Sequence, residues 1–168
     1  MEKDMFFLGL DVGSITVKLV LMDADKNIVW KDYRRHKTNV HEAVEAILHD
    51  VLLATDNYMV HPMVTGSAGL SVSQWLGVDF VQEVLACTRA ADIFIPNTDV
   101  IIELGGEDAK ITYLNGQVEQ RMNGICAGGT GAFIDQMAAL LGTDTSGLND
   151  LAGAHKRIYP IAARCGVF

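Results

Sequence analysis

Long apolar runs are missing from this chain, and so are clusters of basic residues. No hydrophobic stretch reaches the length that spans a bilayer. The start, MEKDMFFLGL, lacks the basic opening and small-residue cleavage site of a signal peptide. Lys and Arg number 13 against 21 Asp and Glu, a formal net charge of -8, and beyond Arg34-Arg35 and Lys156-Arg157 they do not group. A nucleic-acid partner is disfavoured, because neutralising phosphates needs basic surface. Cysteine is sparse: Cys87, Cys126 and Cys165 are an odd number at wide spacing, which fits a reducing compartment better than a disulfide framework. The Walker A pattern and the G-x-G-x-x-G fingerprint are both absent. The expectation is a soluble, cytoplasmic chain with no membrane or nucleic-acid partner. What is present is a globular composition, 49% hydrophobic and 20% charged over 168 residues, enough for one domain or two small ones.

MFFLGLD, TVKLVLMD and IVWKDY read as three strands joined by short turns, an antiparallel meander. A helix pattern follows, with Val40, Ala43, Val44, Ile47, Leu48, Val51 and Leu52 on one face, Asn39 as N-cap and Glu42 three residues on. HPMVTGSAG looks like a short strand opening onto a small-residue turn. LSVSQWLG looks like a short helix closed by Gly77, and VQEVLACTRAADIF like a longer one ended by Pro96. DVIIELGGEDAKITYLNGQVEQRM then reads as strand, glycine turn, strand, an Asn115-Gly116 turn of the type I′ kind, and strand. The next helix, over about residues 131–141, is expected to bury Phe133, Ile134, Met137, Leu140 and Leu141, with Gly142 as C-cap. The tail IAARCGVF looks like a further strand or strand-to-loop segment and stops without a turn signal, so the chain is expected to be cut from a longer parent.

An internal repeat organises these elements. Glu103 follows Asp11 by 92 residues, and at the same offset Gly105 matches Gly13, Gly106 matches Ser14 and Lys110 matches Lys18. Both copies read as apolar strand, acid, apolar residue, glycine turn and strand with lysine. Two copies of one hairpin suggest two lobes, residues 1–96 and 97–168, facing each other across a cleft. A tight turn at Gly13-Ser14 exposes N–H groups that cradle phosphate oxygens, and Asp11 can hold Mg²⁺ directly or through water. Gly105-Gly106 would grip the same phosphates, with Glu103, Glu107 or Asp108 orienting water or metal. Either turn alone reads equally as an ordinary β-turn; the acid in register before each glycine favours phosphate. Lys18 and Lys110 are placed to reach phosphate or to face solvent.

The segment NGICAGGTGAFIDQMA sets Cys126 just ahead of a loop, Gly128-Gly129-Thr130-Gly131, that runs into a helix pattern. Anions, thiolates included, are stabilised at helix N-termini, although a lone cysteine is most often a small buried hydrophobe. Cys87, on an apolar helix pattern, reads as core, and the five histidines show no ligand-like spacing.

Together these stretches carry a resemblance. LGLDVGSITVKLVLMD and IIELGGEDAKI resemble the two phosphate motifs of the actin, heat-shock ATPase and sugar-kinase superfamily. NGICAGGTGAFIDQMA and RCGVF resemble the ATP-dependent activators of 2-hydroxyacyl-CoA dehydratases and the related benzoyl-CoA reductase ATPase subunits. HPMVTGSAGLSVSQWLG and ACTRAADIFIP look most like the large activase-type members. The resemblance implies an α/β, actin-like (ribonuclease H-like) ATPase fold, one full lobe and part of a second. It implies ATP and Mg²⁺ as ligands and a homodimer sharing one 4Fe-4S cluster on the residues matching Cys126 and Cys165. It also implies ferredoxin or flavodoxin as electron donor and an acyl-CoA dehydratase or reductase as recipient, in an anaerobic setting. Cys126 and Cys165 are 39 positions apart and form no local chelate; two thiolates are half of a four-thiolate set, so a second chain must bring the rest.

Glu103 stands where aspartate is commoner in the family pattern, and Glu107 where glutamine is. After Gly131 no further GG segment serves an adenosine, so the chain alone is expected to bind ATP weakly or not at all. A small-molecule kinase of the same superfamily is the alternative; it needs an aspartate base, and Asp135 and Asp144 are the nearby candidates. A non-catalytic fragment is the third reading.

Overall fold

Alternation of buried and exposed residues shapes the first three strands of the computed structural model, which describes residues 5–54, 59–106, 108–123 and 130–160. The chain divides into two units, Met1–Pro96 and Asn97–Phe168. In the first, β1 (Met5–Val12), β2 (Thr16–Met22) and β3 (Ile28–Arg35) form the expected antiparallel meander. Helix α1 (Val40–Ala54) follows, then β4 (Met59–Thr65), α2 (Gly69–Leu76), β5 (Asp79–Phe80) and α3 (Glu83–Phe94). β4 lies parallel to β1, and β5 parallel to β4, giving the order β3-β2-β1-β4-β5. The two-residue β5 leaves no periodic signal in the sequence.

The core lies on one face of this sheet. Leu8, Leu10 and Val12 from β1, Val17, Leu19 and Leu21 from β2, and Val64 from β4 meet Val44, Ile47 and Val51 of α1 and Val72 of α2. Burying one such side chain is worth roughly 1.5–3 kcal/mol. Asn39 caps α1 as expected: its Oδ1 accepts from Glu42 N–H at 3.3 Å, and its amide donates to Glu42 Oε2 at 2.6 Å. Leu52 is not part of the buried face and is 65% exposed, because it sits about 100° further round the helix than Val51. Gly77 ends α2 in the left-handed region at φ 67°. Cys87 is half-buried on α3 rather than in the core.

The second unit has an antiparallel sheet of β6 (Val100–Leu104), β7 (Ala109–Tyr113) and β8 (Glu119–Met122), then α4 (Thr130–Leu140) and α5 (Thr145–Gly153). Two expectations fail here. Tyr113 pairs with Glu119, so Asn115-Gly116 lies in a five-residue loop. Gly116 has φ 82° but Asn115 is not in the left-handed region, whereas a type I′ turn needs both. On α4, Phe133, Ile134 and Met137 are half-buried, while Leu140 and Leu141 are 78% and 62% exposed. Ala138 is the residue α4 buries; Leu140 is about 200° round from it, and Leu141 already belongs to the closing turn. That turn is a Schellman motif: Thr143 N–H donates to Ala138 O and Gly142 N–H to Ala139 O, both at 3.0 Å, with Gly142 at φ 69°. Among the described residues no helix is long and apolar enough to cross a membrane.

Because Ile47 is fully buried and Leu52 exposed, Ile47→Ala should cost about 2–5 kcal/mol and Leu52→Ala less than about 0.5 kcal/mol in urea unfolding.

Candidate functional site

The repeat seen in the sequence is a repeat in register. Asp11 pairs with Lys18 across β1 and β2, and Glu103 pairs with Lys110 across β6 and β7. Gly13 N–H donates to Thr16 O at 2.9 Å, and Gly105 N–H to Asp108 O at 2.8 Å, closing each glycine turn at the equivalent place. An acid near the end of a strand and a lysine opposite it thus flank a glycine turn in both units.

In the first unit Lys18 Nζ donates to Asp11 Oδ2 at 2.6 Å and lies 5.9 Å from the centre of the Tyr33 ring, a distance at which a cation is attracted to the ring face. Both members of the pair are partly exposed, 41% for Lys18 and 28% for Asp11, so the pair contributes little stability and is free to exchange partners. His36 fastens the turn from behind. It is buried, and its N–H donates to Ile15 O at 3.1 Å. Thr38 N–H donates to His36 Nδ1 at 3.2 Å, so the ring proton sits on Nε2 and is shared with Gly13 O at 3.2 Å. A histidine with no ligand-like spacing in the sequence is therefore the clamp of the first turn.

The loop after β4 forms the neighbouring wall. Asp11 pairs with Thr65. Gly66 has φ +97°, and a Cβ there would stand 2.3 Å from Val12 O and 2.5 Å from Asp11 Oδ1, so glycine is required both by conformation and by close approach. Ala68 N–H donates to Val12 O at 2.9 Å, holding this loop against β1. The run TGSAG signals a small-residue turn in the sequence; its place beside Asp11 follows only from parallel pairing, where ligands gather at the carboxyl ends of strands.

In the second unit Lys110 is only 14% exposed, with Nζ 3.7 Å from Asp108 Oδ2. Glu103 is half-buried on β6. The first-turn amides of α4 are directed at the glycine turn: Gly131 N–H donates to Gly105 O at 2.8 Å and Ala132 N–H to Gly106 O at 3.0 Å. A Cβ on Gly131 would lie 2.7 Å from Gly105 O. At the other side Asn123 Oδ1 accepts from Ala109 N–H at 2.8 Å, and Asn123 N–H donates to Ala109 O at 3.1 Å. Residues 124–129, which include Cys126, Gly128 and Gly129, are thus flanked on one side by residues bonded to the turn at Gly105-Gly106 and on the other by Asn123, bonded to Ala109 at the start of β7. The sequence reading aimed these helix amides at an anion; two of them are bonded to main-chain carbonyls. Thr130 Oγ1 is shielded from solvent and has no hydrogen-bond partner among the described residues. Glu107, Cys126, Gly128, Gly129 and Cys165 lie outside the described residues, and among those described no three His, Cys, Asp or Glu side chains group as a metal site. Asp144 caps α5 by accepting from Gly147 N–H at 2.8 Å, and Asp135 accepts from Thr145 Oγ1 at 3.0 Å.

Residues 8–168 match the model of the BadF/BadG/BcrA/BcrD ATPase family. The chain belongs to this family. It is 30% identical over 171 residues to the (R)-2-hydroxyglutaryl-CoA dehydratase activating ATPase of Acidaminococcus fermentans, covering 98% of this chain and 64% of that protein. It is 31% identical to a 2-hydroxyisocaproyl-CoA dehydratase activator of Clostridioides difficile, covering 98% and 63%. The crystal structure of the A. fermentans dehydratase component A superposes with a TM-score of 0.81 at 28% identity, over 97% of this chain and 64% of that one. The C. difficile activator with bound ADPNP gives 0.80 at 28% identity, over 97% and 62%. The α/β fold is therefore the actin-like fold of these activator ATPases, as the motif resemblance implied. The chain spans just under two thirds of the length of the curated relatives it matches.

Gly66→Ala and Gly131→Ala should each destabilise the protein by more than Gly77→Ala. Gly77, at φ +67° with open space around its Cα, costs about 1–2 kcal/mol for the left-handed backbone alone. Thermal melting of the three variants measures the difference.

Proposed function

We propose that this chain is the phosphate-binding portion of an ATPase activator that couples ATP hydrolysis to delivery of low-potential electrons to an acyl-CoA dehydratase or reductase. The observation that carries the reading is the bonding of both flanks of the Cys126 segment to the second hairpin, Gly131 and Ala132 to the glycine turn itself and Asn123 to Ala109, the strand residue directly after it. A turn that grips phosphate is by that bonding also the support of a thiol segment, and the family's activators are named for dehydratases that they activate.

Each residue has a part in this reading. The turn amides around Gly13 and Ser14, and those around Gly105 and Gly106, bind phosphate oxygens. Asp11 would hold Mg²⁺ directly or through water, and Lys18 would pair with the phosphate charge. The fit rests on Asp11 being held, among the described residues, by one partly exposed lysine and on the main chain at Gly66 lying close beside its Oδ1. Glu103, Glu107 and Asp108 are the candidates to orient water or metal at the second turn, and the run Gly128, Gly129, Thr130 and Gly131, which leads into α4 in the sequence, supplies further candidate ligand-binding residues. Cys126 and Cys165 are thiolate ligands, two of the four that a 4Fe-4S cluster needs, so a homodimer supplies the set. When bound, the cluster supplies one-electron transfer; ferredoxin or flavodoxin is the donor. Hydrogen bonds and helix dipoles near the sulfurs set its potential, which makes the position of α4 the protein's lever on it.

A sugar-type kinase would need a free aspartate base. Asp144 is engaged as a helix cap and Asp135 with Thr145, so neither supports that alternative.

Anaerobic reconstitution of the full-length protein should give a brown species with about one cluster per two chains, lost in Cys126→Ser, and calorimetry should show ATP binding that Mg²⁺ tightens. A colourless, iron-free protein overturns the electron-delivery reading, and absence of nucleotide binding in the full-length protein overturns the ATPase reading with it.

A further inference from the structure

On the sheet face away from the core, four strands contribute one row of side chains. Tyr33 on β3 pairs with Lys18 on β2, Lys18 with Asp11 on β1, and Asp11 with Thr65 on β4. Three members of the row are accounted for: Lys18 donates to Asp11 Oδ2 and its ammonium lies by the Tyr33 ring. The fourth is not. Thr65 Oγ1 is shielded from solvent and has no hydrogen-bond partner among the described residues.

A hydroxyl shielded from water without a partner costs free energy, and in native structures such a group calls for an explanation. Packing does not supply one here. Valine has the same shape and the same preference for strands, and it carries no polar atom to strand. The location does. Thr65 is the last residue of β4, at the carboxyl end of a strand parallel to β1. It pairs with Asp11 in the β1–β4 register and directly precedes Gly66, whose main chain comes so close to Asp11 that a Cβ there would lie 2.5 Å from its Oδ1. Ligands in sheets of this kind bind at that end.

We propose that the Thr65 hydroxyl is a ligand-binding group. It completes its hydrogen bonding only when a magnesium–nucleotide complex occupies the Asp11 site, donating to a phosphate oxygen or bonding a magnesium-bound water. This rests on the reading of the Asp11 hairpin as a phosphate site and adds the β4 end to it. Lys18 is the labile member of the row. Its ammonium exchanges Asp11 for the incoming phosphate, and that frees the carboxylate to share the ligand with the hydroxyl that already lacks a partner among the described residues. Mg²⁺ keeps several waters when bound, so one carboxylate and one hydroxyl side by side are suited to its outer shell.

The test compares Thr65→Val and Thr65→Ser with the unaltered full-length protein, by calorimetry with ATP plus Mg²⁺, by calorimetry with ATP plus EDTA, and by melting without nucleotide. The expected result is that Thr65→Val melts at or above the unaltered protein yet binds Mg–ATP about tenfold more weakly, a difference of about 1.4 kcal/mol, while Thr65→Ser binds normally. A loss confined to the Mg²⁺ arm assigns the hydroxyl to the metal's water shell, and a loss in both arms assigns it to phosphate. If the unaltered protein binds Mg–ATP and Thr65→Val binds it equally well, the Thr65 assignment is wrong and the phosphate site stands. If Thr65→Val melts lower without nucleotide, the hydroxyl is structural and the assignment is equally wrong. No binding by the unaltered protein removes both.

Discussion

Two main-chain hydrogen bonds join the helix that follows the cysteine segment to a glycine turn: Gly131 N–H to Gly105 O and Ala132 N–H to Gly106 O. They involve no side chain, so their one steric demand is that position 131 carry no Cβ; such an atom would lie 2.7 Å from Gly105 O. Asn123 repeats the arrangement at the other flank, bonded twice to Ala109. A helix is stiff, and a turn bonded to its first residues carries those residues when it shifts. Under the proposed function, phosphate binding at the turn and thiol chemistry at Cys126 would share this support.

The two hairpins show how one frame holds different chemistry. Their strand registers coincide, and each turn is closed by the same main-chain bond. The lysines diverge. Lys18 is partly exposed and bonds the strand acid Asp11, whereas Lys110 is mostly covered and lies near the turn acid Asp108. A solvated pair exchanges partners cheaply, and a covered lysine pays more to move. The first hairpin also has a neighbour, the Thr65-Gly66 corner, held against β1 by Ala68.

Much of this frame was legible from residue order. Alternation gave the meander, the stripe from Val40 to Val51 gave α1, and Asn39 and Glu42 marked its start. Gly77 and Gly142 marked two helix ends through their freedom to adopt positive φ. Local patterns fail where no local signal exists. β5 is too short to show a period, and α5 begins at an Asp144 cap whose helix has no apolar stripe. The Asn115-Gly116 pair looks like a tight hairpin, but the register of Tyr113 with Glu119 makes the loop longer. Leu140 looks like core because it is apolar, and is exposed because Ala138, not Leu140, is the residue of α4 that packs.

The candidate site divides along the same line. Residue order by itself determined that an acid, a glycine turn and a lysine occur twice in one spacing, because a hairpin's register is written in a dozen consecutive residues. It also determined that Cys126 precedes a glycine-rich helix start. Only the tertiary structure decided that Thr65 and Gly66 stand beside Asp11, that His36 clamps the first turn, and that α4 is bonded to the second. These contacts join segments separated by a whole strand or helix, and parallel pairing, burial and main-chain bonding between distant segments leave no periodic trace in the chain.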